Sequence, residues 1–356
     1  MKKILVTGAG GPAGVNFLRS LASVEEDFEL YGTDINKFHI EFAKPWTKKM
    51  FLVPRATSDD YIDALNEIID KHDIELVHPQ PDIEVSVISE KREKLNAKTY
   101  LPKKETIGIL QDKFRSAEIW KEHEFPMVKA IEIRPDHLEE DIQKSLDELG
   151  EKIWIRAKRG AGGTGSTPVE NVKTGVSWIK YWLSRGKNWE FIAQEYLPGR
   201  NIAFQSVFKE GELITSQARE RLEYIYPYLA PSGVTGTPIV AKTIHNRKVN
   251  ELATEAVLSI DSEATGVFCV DMKGDKEGKM CPTEINSGRF FTTSYFFSAA
   301  GKKYNKLKGN MPYMLIKLAF GEEIPKEPKY NVIPKDLYWI RHIDCDSHLI
   351  EKENLT

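Results

Sequence analysis

The chain has 356 residues, 41% of them hydrophobic, with 50 Lys and Arg against 53 Asp and Glu. That length exceeds one small domain and suits two or three packed lobes, and the apolar content is enough for cores that need no disulfide staples. A formal net charge of -3, with basic residues spread along the chain, excludes a global attraction to nucleic acid or anionic membrane, so any basic site has to be local. Cys269, Cys281 and Cys345 give neither a disulfide framework nor CxxC spacing for zinc, which indicates a reducing compartment. The opening MKKILV has too short an apolar core for a signal peptide, and no apolar run nears the roughly 20 residues that span a bilayer. A cytoplasmic protein without membrane partners is expected.

From residue 1 to about 105, β-rich runs (KILVTG, FELYGTDI, KMFLVP, IELVHPQ, KTYLP) alternate with helical stretches at 13–23, 59–72 and 84–94. Strand and helix in turn predict a parallel sheet covered on both faces. Residues 106–123 read as one helix, followed by a turn at Pro126 and a strand in EFPMVKAIEI. The amphipathic HLEEDIQKSLDELG then stops at Gly150, and KIWIRAK, the loop RGAGGTGS, a helix at 173–185 and WEFIAQEYL complete a small α+β lobe over 106–194. Over 195–325 the pattern is antiparallel, with strand pairs turned at KEGE and at GDKEG and helices at 246–260 and 310–319. The tail, 326–356, carries one more strand, DLYWIRHIDC.

Three features bear on chemistry. Between the first strand and helix, LVTGAGGPAG sets Gly8, Gly10, Gly11 and Gly14 where a dinucleotide-binding βαβ unit has its glycines, and Asp34 follows at the end of the second strand, where it could bond a ribose. The spacing is GxGxxxG or GxxGxxG and not GxGxxG, and a glycine turn also serves simply to bend a strand tightly into a helix. The second loop, Arg159 to Ser166, holds Gly160, Gly162, Gly163 and Gly165 with Thr164 and Ser166, beside Arg156 and Lys158. Its free backbone N–H groups and nearby cations suit a flap over phosphates, although GxxxxGK[ST] is absent; a mobile hairpin with incidental charges is the plainer alternative. In the third, Asp271 lies on one strand and Glu284 and Asn286 on its hairpin partner. Strand alternation projects Glu284 and Asn286 to one side and lets Asp271 join them, a set of hard oxygen donors suited to Mg²⁺. The apolar neighbours GVFCV and MCPTEIN argue that this face lies inward.

In its order of parts the chain resembles the ATP-grasp superfamily of carboxylate–amine ligases, and in detail it is similar to the synthetase domains of the carbamoyl-phosphate synthetase large subunit, over about residues 1–325. The resemblance implies an ATP-grasp fold, α/β and α+β, preceded by a Rossmann-like parallel-sheet domain over 1–105, with nucleotide held between the lobes 106–194 and 195–325. QDKF puts Lys113, and IWIR puts Arg156, where the family binds phosphate; Lys158, Gly162, Gly163, Thr164, Gly165 and Ser166 fall in the flap. AQEYLPGRN resembles the segment that reads adenine, with Gln194, Glu195, Tyr196 and Leu197, and Asn201 stands where many members place a ribose-binding acid. Asp271, Glu284 and Asn286 match the metal pattern, and Arg289 resembles the arginine that holds the carboxylate or acyl-phosphate, one residue farther on than in ENPR.

The expected activity is therefore ATP- and Mg²⁺-dependent (Mn²⁺ as an alternative) phosphorylation of a carboxylate and its coupling to an amine or ammonia, with release of ADP and phosphate. The expected partners are small molecules, and the resemblance adds a homodimer. Arg219 and Arg221 share a strand face in SQARERLEY and are equally placed to meet an anionic substrate or to form surface ion pairs. HIDCDSH in the tail reads as polar residues of an edge strand, and RFFTTSYFFSAAG as a core-lining loop and helix. The competing readings are an NAD(P)-dependent oxidoreductase using Gly8 to Gly14 and Asp34, and a nucleotide-binding protein without turnover.

Overall fold

A computed structural model describes residues 1–160, 163, 165–186, 189–343 and 345–354, the last range by backbone alone over 345–348. Two flap residues expected at phosphate, Gly162 and Thr164, lie outside the described residues.

The first lobe runs β1 (Lys2–Thr7), α1 (Pro12–Leu21), β2 (Phe28–Asp34), α2 (Ile40–Ala43), β3 (Lys49–Leu52), α3 (Tyr61–His72), β4 (Leu76–Pro79) and α4 (Asp82–Glu90). Its strands form a parallel sheet in the order β3-β2-β1-β4. The glycine turn is tight because Gly8 has φ +59°, while a Cβ on Gly14 would fall 2.5–2.7 Å from Gly8 O and the Ala9 backbone. Pro12 then opens α1, where its fixed φ and missing N–H are tolerated.

A single helix was expected over 106–123, but α5 (Lys104–Leu110) and α6 (Lys113–Glu122) are separate. Asp112 makes the break: its carboxylate accepts from Phe114 N and Arg115 N, both at 3.1 Å, and so caps α6. Next come β5 (Ala130–Ile133), α7 (Leu138–Leu149), β6 (Ile153–Ala157), β7 (Thr167–Val169), α8 (Val172–Ser184) and β8 (Phe191–Glu195). They build an antiparallel sheet, β5-β8-β6-β7, whose core with α7 and α8 includes Ile142, Ile155, Ile179 and Phe191.

The third lobe holds β9 (Asn201–Lys209), β10 (Glu212–Tyr224), β11 (Pro238–Ile244), α9 (Arg247–Leu258), β12 (Gly266–Gly274), β13 (Met280–Ser287), α10 (Tyr295–Lys303), α11 (Met311–Ala319), β14 (Leu337–His342) and β15 (Cys345–Glu351). Among the described residues the sheet has the order β13-β12-β9-β10-β11-β14-β15. Alternation divides its faces. Phe204, Phe208, Phe268 and Val270 pack with α9 on one side, whereas Ala203, Val267 and Cys269 share a core with α1, α10 and α11 on the other. That second core also takes in Ile4, Val6 and Phe17, so the first lobe is seated on the large sheet through continuous apolar packing.

Two strands differ from the sequence reading. β11 was not anticipated, and the tail contributes two strands where one was expected, because the chain reverses after His342 and β15 pairs back along β14. As the outer strand of the sheet β15 needs little apolar content, and its polar composition hid it.

Candidate active site

Asp271 and Glu284 sit directly opposite each other in the β12–β13 ladder, as do Cys269 and Asn286, so all four share one sheet face. That row continues through Ala203 on β9 to Arg219 on β10. Cations from the second lobe close over it. Arg156 on β6 donates from Nη2 to Glu284 Oε2 at 2.8 Å, and Lys113, the first residue of α6, brings Nζ to 3.4 Å from the same oxygen. Lys113 also donates to Gly160 O at 2.6 Å, tying the capped helix to the root of the flap. On the other carboxylate, Arg221 Nη2 donates to Asp271 Oδ1 at 2.7 Å.

Electrostatics follow from this packing. Burial alone would raise the Glu284 carboxyl, but Arg156 and Lys113 outweigh it and hold the group down at about 2. Asp271 moves the other way: burial, then repulsion from Glu284, raises it against the pull of Arg221. Burial lowers the Lys113 ammonium, with Glu284 opposing. Burial, followed by repulsion from Arg221 and Arg341, pushes Arg219 down to about 9.

A cavity of about 570 Å³ opens on this row and is walled by all three lobes. Of the residues expected from sequence, it brings together Arg156, Gly163, Ser166, Gln194, Glu195, Tyr196, Leu197, Asn201, Arg219, Arg221, Asp271, Glu284, Asn286 and Arg289. Lys113 lies just behind Glu284, 6% exposed. Two flap residues are placed differently from expectation. Lys158 turns to Glu132 Oε1 at 2.8 Å, with Glu190 at 4.0 Å, because these acids of the small lobe lie nearer than the cleft. Gly165 is not on the cavity wall; its carbonyl accepts from Trp178 Nε1 at 2.9 Å. Asn201 joins the wall between Tyr224 and Arg221, donating to the Tyr224 hydroxyl at 2.7 Å and accepting from Arg221 Nη1 at 3.2 Å.

Other wall residues were not foreseen. Asp82, first residue of α4, holds Arg289 through Nε and through Nη2 at 3.0 Å, and its backbone carbonyl accepts from Gln111 Nε2 at 3.1 Å at the α5–α6 junction. Arg289 in turn donates to Asn286 Oδ1 at 2.7 Å. Gln80 and Lys273 also face the cavity. The available signal was position: residues 80–82 follow the C-terminal end of a parallel strand, where open α/β sheets place their ligands. Asp34, by contrast, accepts from Gly10 N at 3.2 Å and Asn36 N at 2.9 Å, so its carboxylate braces the glycine turn.

A divalent ion fits the hairpin. Among the described residues Asp271 Oδ2 and Glu284 Oε1 carry no hydrogen bond, while the other oxygen of each is held by a cation. No group of three or more His, Cys, Asp or Glu side chains is gathered among those residues, so two carboxylates and the Asn286 oxygen are the donors on offer. Such a set suits Mg²⁺, which takes one or two carboxylates and fills its shell with water and phosphate oxygens. Among the described residues the buried Nε atoms of Arg156, Arg219 and Arg221 have no acceptor, which suits an anion beside that ion.

Residues 110–293 match a family model described as ATP-grasp domain. No curated protein matches the sequence. Among solved structures, the chain is similar to the biotin carboxylase domain of Hydrogenobacter thermophilus 2-oxoglutarate carboxylase, in complex with MgADP, ADP and bicarbonate, at 17% identity and TM-score 0.69 over 95% of this chain and 73% of that one. N5-carboxyaminoimidazole synthetase of Staphylococcus aureus is similar at 15% identity and TM-score 0.68, over 95% and 82%. The carboxyaminoimidazole ribonucleotide synthase of Aspergillus clavatus, complexed with ATP, gives 16% and 0.69, over 95% and 81%.

Proposed function

The chain belongs to the ATP-grasp domain family, with residues 110–293 as its matching segment, and from that premise we propose that it is an ATP- and Mg²⁺-dependent ligase joining a small-molecule carboxylate to an amine or ammonia. One observation carries this reading: Glu284, set opposite Asp271, is gripped by Lys113 and Arg156 in a cleft that all three lobes wall. Phosphoryl transfer asks a protein for positioning and charge neutralisation more than for covalent help. Lys113 and Arg156 stand where β- and γ-phosphate oxygens would meet positive charge, and Gln194 to Leu197 line the part of the wall suited to a base. Asp271, Glu284 and Asn286 would hold Mg²⁺, which when bound supplies charge neutralisation at the phosphates.

Arg289, fixed by Asp82, would present the carboxylate, and Arg219 and Arg221 would offer charge to an anionic substrate. A carboxylate oxygen takes the γ-phosphoryl group, ADP departs, and the amine then displaces phosphate from the acyl-phosphate. No Ser, Cys or His nucleophile is needed. The bracing role of Asp34 supports the ligase over a dinucleotide-dependent oxidoreductase, since that carboxylate is occupied within the turn. A cytoplasmic location and a homodimer belong to the same reading.

Screening acids and amines for ADP release tests it. Mg-ATP should bind and turn over with one such pair, whereas NADH should not bind. Glu284→Ala should lower turnover roughly a hundredfold or more, as loss of a group acting on developing charge does. Full activity in that variant refutes the assignment, and Mg-ATP binding without ADP release across the screen would favour a non-catalytic protein.

A further inference from the structure

Besides Arg289, which would present the substrate carboxylate, the cavity carries a cation with which no acid pairs among the described residues. Arg219 is 1% exposed; among the described residues its side chain makes one hydrogen bond, a 3.5 Å contact from Nη1 to Thr293 O, and Nε has no acceptor. The rings of Phe291 and Phe297 lie 5.1 and 5.6 Å from its guanidinium carbon. Arg341, on β14, donates from Nε to Pro238 O at 3.1 Å and from Nη1 to Thr292 O at 3.5 Å, and its buried Nη2 also lacks an acceptor among the described residues. Arg221 completes the group, 5.2 Å from the Phe291 ring, but it already has Asp271. Three guanidinium groups thus meet around residues 291–293, and among the described residues a single carboxylate, Asp271, pairs with them.

The facing wall has the same bias. Gln80 is 3% exposed, and among the described residues neither its amide nitrogen nor its amide oxygen has a partner. Beside it α1 opens on the cavity at Gly11 to Gly14, with no side-chain cap and no acid in its first turn. Burying an unpaired cation disfavours the fold relative to an apolar side chain of similar shape, so its presence needs a compensating anion.

We infer that the substrate end of the cavity receives a molecule bearing a second anionic group, carboxylate or phosphate, besides the carboxylate that is activated, with Arg219 as its counter-charge. Arg341 is a positioning residue: it clamps the wall segments at Pro238 and Thr292 and keeps a second positive charge behind Arg219. This names a substrate class and rests on the ligase reading.

The test uses the full chain with saturating MgADP, melted in glutarate, 4-phosphonobutyrate or singly charged glutaramate at matched ionic strength, beside Arg219→Met and Arg341→Met. Glutarate or the phosphonate should raise the wild-type midpoint at concentrations at least tenfold below glutaramate, and each substitution should erase that preference. The dianion with the larger response tells carboxylate from phosphate. Without added ligand, Arg219→Met should melt higher than wild type. Equal responses to dianions and glutaramate, or a preference that survives Arg219→Met, overturns the inference. Wild type that shows no shift with MgADP overturns the ligase reading as well, so the two failures are distinguishable.

Discussion

Replacing Glu84 by Gln should stabilise the protein above neutral pH and change it little at or below about pH 4.5. Glu84 lies on α4, 5% exposed, with Oε2 buried, without a hydrogen-bond partner among the described residues, and 3.7 Å from where a Cβ on Gly8 would sit. Burial raises its carboxyl from 4.5 to about 7, with repulsion from Asp34 adding to the rise and Thr7 and Tyr61 acting against it. Between those two values the folded chain holds a proton that the unfolded chain has released, so stability falls as pH rises through that window and levels off above about pH 7. The displacement is about two and a half pH units, and at ~1.36 kcal/mol per unit the penalty reaches roughly 3 kcal/mol. Gln fills the same volume and stays neutral throughout. Urea unfolding of both proteins from pH 4.5 to 8 measures the difference, which should grow from near zero to roughly 3 kcal/mol in favour of the variant. A difference that stays constant with pH would refute the reasoning.

Two further outcomes follow from local geometry. Gly14→Ala forces a Cβ against Gly8 O and the Ala9 backbone, and should lower stability by roughly 1–3 kcal/mol, read as a fall in the thermal midpoint. Asp112→Ala removes the cap of α6 and should cost about 1 kcal/mol of stability. Because Lys113 is the next residue, the same variant should raise the KM for ATP more than it lowers kcat; unchanged KM would show that the cap does not position Lys113.

Much of this architecture was legible because the relevant patterns are local. Strand alternation put Glu284 and Asn286 on one face and allowed Asp271 to join them, and the ladder sets Asp271 directly opposite Glu284. Alternating strands and helices gave the parallel first sheet, and the glycines gave its turn. Pairings between distant segments were not legible. Asp82 and Arg289 stand 207 residues apart in the chain, so nothing near either one signals the bidentate pair. Lys158 follows the same alternation as Arg156 but leaves the cleft because Glu132, on a strand formed earlier in the chain, draws it away. The break at Asp112 was readable in principle, since Asp before a helical run is a capping signal, but the apolar rhythm of 106–123 runs through it. Arg341 escaped notice for a different reason: its strand lies in the tail, and only its pairing with β11 carries it back to Pro238 and Thr292.

Asp82 stands where all three lobes meet the cavity. It begins a helix of the first lobe, its carboxylate secures Arg289 of the third, and its carbonyl anchors Gln111 at the joint from which α6 and Lys113 set out. One residue thus ties three segments of the cavity wall together, so replacing Asp82 would loosen the fixing of Arg289 and of the α5–α6 joint at the same time.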